Sequence, residues 1–90
     1  MVLLISYDLN GHERPEAYEA VKDVITNNAT AYIKPLYSQW FVQTDESVGT
    51  WVDWLKEVTD RNDRLFVLKV QRPYQGLLTD KQWEWLRERI

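Results

Sequence analysis

The chain contains no cysteine, which removes disulfides, thiolate metal sites and thiol nucleophiles together and suits a reducing cytoplasm. Histidine occurs once, as His12, so no set of imidazoles exists to hold a zinc ion. The three glycines, Gly11, Gly49 and Gly76, stand far apart, and none belongs to a loop that cradles phosphates. Thiol-protease, zinc-hydrolase and nucleotide-hydrolase chemistry are excluded on these grounds. Long apolar runs are missing as well. None approaches the ~20 residues that span a bilayer, and "MVLLI" lacks the length and basic leader of a secretory signal. A cytoplasmic protein with no membrane partner is expected.

Large apolar side chains are what the chain has in quantity. Of its 90 residues 44% are hydrophobic, and five are Trp, five Tyr and two Phe. That is the composition of one domain with a single core, not of a disordered tail. The net charge of −3 disfavours indiscriminate nucleic-acid binding. The charges are unevenly placed, however. Residues 1–60 hold four basic and ten acidic groups, and residues 61–90 hold seven and four. Arg61, Arg64, Lys69 and Arg72 thus concentrate positive charge, either as a phosphate-facing surface or as solvated groups around a strand.

Val2 to Leu9 reads as a strand, short and apolar, stopped by Asn10-Gly11. Pro15 suits a first helical position, and Ala17, Val21, Val24 and Ile25 share one helical face up to about Asn27. Ala31 to Leu36 and Gln39 to Gln43 read as two strands joined tightly around Tyr37-Ser38. Pro35 cannot donate to a ladder, so the first of these belongs at a sheet edge. Val48, Trp51, Val52, Leu55 and Val58 follow helical spacing, with Thr44 and Asp45 as cap candidates. Gly49 inside that helix points to a close backbone contact. "DRND" makes a turn before a strand over Leu65 to Val70. Thr79 with Gln82 predicts a capping box for a last helix through Ile90.

The order β-α-β-β-α-β predicts an α+β, ferredoxin-like sandwich with strands in spatial order 4-1-3-2. It forms one domain, with a core over residues 1–70. Residues 71–90 add a C-terminal extension, a short strand or extended segment plus a helix. The first and last strands, Val2–Leu9 and Leu65–Val70, are apolar at both parities, yet two helices cover only one face of such a sheet. The other face must meet the C-terminal extension or a second subunit. A homodimer is expected, with residues 71–78 crossing to the partner.

"ISYDLN" in the first strand, "VQTDES" after the third and "DRNDRLFVLKV" over the fourth resemble, in this order, the SinR-like proteins. These are small bacterial relatives of the second CRISPR-associated core protein, the small subunit of the spacer-acquisition complex. The resemblance covers nearly all of residues 3–70. It implies a ferredoxin-like homodimer, in a superfamily that also holds the virulence-associated protein D ribonucleases. It further implies a role for Asp8, which matches the aspartate that ends the first strand in nuclease members. Two Asp8 carboxylates facing across a dimer would hold one Mg²⁺, and that ion would activate water against an RNA or DNA phosphodiester. His12 would assist as a group titrating near neutrality. Arg14 matches the basic first-loop residues that meet phosphate.

Each residue also has a plain structural reading. Asp8 with Asn10-Gly11 can end a strand through Asx-type hydrogen bonds. His12, Arg14, Arg61 and Arg64 can be solvated surface groups, and Asn62 with Asp63 can shape a turn. Trp51, Trp54, Trp83 and Trp85 have the spacing of packing residues. Two functions follow: a Mg²⁺-dependent endonuclease dimer, or a non-catalytic dimer that binds a protein partner.

Overall fold

The computed structural model describes residues 1–9 and 15–90, so His12, Arg14 and the Asn10-Gly11 stop lie outside the described residues. Seven elements follow in order: β1 (Val2–Asp8), α1 (Pro15–Asn28), β2 (Ala31–Leu36), β3 (Gln39–Gln43), α2 (Val48–Lys56), β4 (Arg64–Lys69) and α3 (Asp80–Arg87). The strands make one antiparallel sheet in the order β2-β3-β1-β4. The result is a small α+β fold with a four-stranded sheet and three helices, compatible with a ferredoxin-like arrangement.

Strand alternation sets the layers. Leu3, Ile5, Tyr7 and Leu9 are buried together with Trp40 and Val42 of β3. Ala17, Val21 and Ile25 recur every four residues along α1 and join this cluster, as do Trp51 and Leu55 of α2. Burying each of these Val, Leu and Ile side chains is worth about 1.5–3 kcal/mol. Two indoles need partners in that interior, and both have them. Trp40 Nε1 donates to the Tyr7 hydroxyl at 2.9 Å, and Trp51 Nε1 donates to Thr44 Oγ1 at 3.1 Å.

The edge position of β2 agrees with Pro35. The β2–β3 register shifts between Ile33 and Leu36, where proline offers no donor. Two local expectations are corrected. The cap of α2 is Ser47, whose Oγ accepts from Thr50 N at 3.1 Å, because the Thr44 hydroxyl is engaged by Trp51 and by Glu46 N. Gly49 makes no close backbone contact: a Cβ there would meet only Ser47 Oγ, at 3.8 Å.

The second face of the sheet carries Leu4, Phe41 and Leu68, brought side by side by the strand register. These three line a groove of about 350 Å³ with Pro73, Tyr74, Trp83 and Leu86. Residues 71–78 therefore lie over their own sheet rather than crossing to a partner, and none of them forms a strand. What holds the extension there is α3. Trp85 stacks on Phe41 at 6.4 Å between centroids. The Arg89 guanidinium lies 4.2 Å from the Trp85 ring and donates from Nε to Gln43 Oε1 at 3.0 Å. The Thr79–Gln82 capping box opens the helix as the sequence predicts.

Candidate functional site at the Asp8 end of the sheet

Asp8 is the last residue of β1 and stands opposite Arg64, the first of β4. Ser6 stands opposite Phe66, two places along on the same face. Together with Tyr7 and Leu65 these residues line a shallow depression of about 160 Å³. Asp8 and Arg64 are both exposed, and Phe66 keeps 67% of its surface in solvent. The extension covers the other end of this face, so Asp8 sits on the half left open.

The turn before β4 orients the arginine. Asp60 N donates to the Asp63 carboxylate at 2.8 Å, and Asp63 N donates back to Asp60 O at 3.0 Å. Asp63 is buried and closes the turn. Arg64 Nη1 donates to the Asn62 and Asp63 carbonyls, at 3.3 and 3.4 Å. Arg61 is exposed in the same turn. The basic stretch read from the sequence is divided by the strand, however. Lys69 pairs with Leu3 at the far end of β4, about 17 Å from Arg64 at ~3.3 Å per residue. Its odd position also turns it to the other face. Among the described residues of that stretch, Arg64 lines the depression with Asp8, and Arg61 lies in the turn just before it.

The described residues of one chain do not by themselves hold a magnesium ion here. Asp8 brings a single carboxylate beside a guanidinium, and no three His, Asp or Glu side chains come together among the described residues. An octahedral ion held mainly by protein oxygen needs more. Among the described residues, a donor set for Mg²⁺ at this end would need further oxygen ligands beside Asp8, such as the Asp8 of a second copy.

On the helix side of the sheet, running from the Tyr7 end along the β2 edge, lies a cluster that the sequence reading did not single out. Tyr7 N donates to Ser38 O at 3.1 Å, which ties the β2–β3 turn to β1 next to Asp8. Tyr18 lies between Tyr7 and Tyr37, with ring centroids 6.1 and 6.2 Å away. Tyr32 meets Trp40 edge-on at 5.8 Å. The Lys34 ammonium sits 5.3 Å from the Tyr37 centroid and 5.5 Å from that of Trp40. Burial raises the Tyr7 pKa, the hydrogen bond from Trp40 opposes the rise, and the phenol stays neutral. The available signal was the alternation of Tyr32 and Lys34 running into Tyr37 on an edge strand. The expected packing tryptophans do pack: Trp51 against Trp54 at 5.2 Å, and Trp83 against Tyr74 at 6.0 Å.

No family model, curated protein or solved structure matches the chain. Among the described residues no helix is long and apolar enough to cross a membrane.

Proposed function

We propose that this is a ferredoxin-like, SinR-like protein that processes nucleic acid as a homodimer, cleaving phosphodiesters at two symmetry-related Asp8 residues. One observation carries the reading: Asp8 ends β1 exposed on the open half of the sheet, with Arg64 opposite it. In this reading Arg64 and Arg61 hold the substrate phosphate through charge-assisted hydrogen bonds. Two Asp8 carboxylates brought together across the dimer would need a cation between them to offset their like charge. Mg²⁺ bound between them would polarise the phosphate and acidify a water. His12 and Arg14, which follow Asp8 closely in the sequence, would serve as proton carrier and further phosphate contact.

A second reading, a non-catalytic dimer with a protein partner, is favoured by the large apolar Phe66 beside Asp8. The Asp8→Asn variant separates the two. Asparagine is nearly isosteric and keeps an oxygen acceptor, so a strand-ending role survives, whereas a carboxylate pair does not. Both purified proteins are incubated with single-stranded RNA and duplex DNA in Mg²⁺ or Mn²⁺. The nuclease reading expects cleavage above an EDTA control from wild type, none from the variant, and matching melting temperatures. Equal residual cleavage by the two proteins sinks it and leaves the interaction dimer.

A further inference from the structure

We propose that Tyr37, Tyr32 and Lys34 form a stacking platform that binds an unpaired nucleobase, which makes single strands the substrate class. The inference rests on the nucleic-acid reading above and names what that reading leaves open. Tyr37 keeps 77% of its surface in solvent and Tyr32 keeps 45%, although both are large rings on a short edge hairpin. Neither is loose. Tyr18 braces Tyr37 from one side, and Trp40 braces Tyr32. Trp40 is fixed in turn by its hydrogen bond to the buried Tyr7 hydroxyl. Rings held this way lose little freedom when a base stacks on them, and stacking is worth about 1–3 kcal/mol per base.

Lys34 supplies the second half of the site. Its ammonium lies against the Tyr37 and Trp40 rings, where a base stacked on Tyr37 would bring its own phosphate. The register shift at Pro35 re-aims the strand just beyond this lysine. A base inside a duplex has both faces covered, so only an unpaired one can use the rings. The Tyr7–Ser38 bond fixes the Tyr37 turn at the same end of the sheet as Asp8. Tyr32 faces the helices with Val42 and Leu3, whereas Asp8 faces the other side of the sheet with Ser6 and Phe66. A strand anchored on the platform therefore passes round the end of the sheet to reach the carboxylate. Glu16 and Glu19 are exposed on the adjoining α1, so binding comes from stacking more than from charge.

The test is fluorescence anisotropy with labelled twelve-nucleotide oligo-U and oligo-dT and a duplex of the same length, without added metal. Wild type should bind both single strands at least about tenfold more tightly than the duplex. Tyr37→Ala should lose about tenfold or more in affinity, while Tyr37→Phe keeps it because the ring remains. The logarithm of affinity should fall with the logarithm of salt at a slope near −0.7, as for one phosphate contact on a single strand. Equal binding by wild type and Tyr37→Ala overturns the platform, as does a failure to bind any oligonucleotide or a preference for duplex. The two proposals fail separately. Tyr37-dependent binding without cleavage removes the nuclease reading alone, and Asp8-dependent cleavage with Tyr37-independent binding removes the platform alone.

Discussion

Tyr7 and Trp40 are 33 positions apart, and their hydrogen bond at 2.9 Å is buried between sheet and helices. No local pattern in the sequence announces such a pair, because it exists only once the β1–β3 register is set. Asp8 was legible for the opposite reason: an acid ending an apolar strand stands out from its immediate neighbours. Its cross-strand relation to Arg64 was not, although Arg64 was read as a phosphate-binding candidate. The Tyr7→Phe variant tests the buried pair. Removing the hydroxyl leaves Trp40 Nε1 without an acceptor, at a cost of about 1–3 kcal/mol in urea unfolding at neutral pH. The cost should shrink in alkali. Because burial raises the Tyr7 pKa in the folded state, its contribution is complete below the unfolded phenol value of about 10. It fades as pH climbs through the folded value, and phenylalanine has no proton to lose. A stability gap between wild type and variant that is unchanged from pH 8 to pH 11 would remove Tyr7 as the cause.

Elements were easier to read than residues, since period and punctuation act over short distances. The short apolar run of β1, the four-residue recurrence in α1, Pro35 on an edge and the Thr79–Gln82 box all name their structures locally. The start of α2 was misread because "TDES" offers several cap residues in a row. The choice fell to Ser47 once an indole seven residues on claimed Thr44. The docking of α3 was open for the same kind of reason: its apolar stripe suits its own sheet or a partner's equally well. In the structure Leu86 is almost wholly buried, and it lies outside the main core cluster. It is thus the anchor of the extension. Leu86→Ala should cost about 2–5 kcal/mol in urea unfolding and expose residues 71–90 to limited proteolysis before the rest. Even digestion across the whole chain would mean that the extension does not fold as a separable layer.

At the scale of the whole molecule, the extension covers only part of the second sheet face. Phe66, with 67% of its surface exposed, Leu36 with 51% and Leu77 with 98% are left around its margin. Leu36 and Leu77 line the apolar groove, and Phe66 lines the depression that holds Asp8. Burying such side chains fully would return about 1.5–3 kcal/mol each, in both copies of a two-fold pair. That total exceeds the ~4–15 kcal/mol of freedom lost on association by only a few kcal/mol. A micromolar constant needs a surplus of about 8 kcal/mol, so pairing no tighter than micromolar is expected. Asp8 and Arg64 stand side by side on this face with opposite charge. A two-fold pair can therefore match each carboxylate with the partner's guanidinium or bring the carboxylates together over a cation. Both arrangements place Phe66 at the interface, and Phe66→Asp would put a charge where an apolar ring must be buried. Light scattering should then show wild type moving toward twice 10.8 kDa with rising concentration, while Phe66→Asp stays at the single-chain mass. A wild type that stays at the single-chain mass at every concentration would remove the dimer and the shared carboxylate site together. If Phe66→Asp still pairs while Leu77→Asp does not, the contact lies at the extension end, too far from Asp8 to join the two carboxylates.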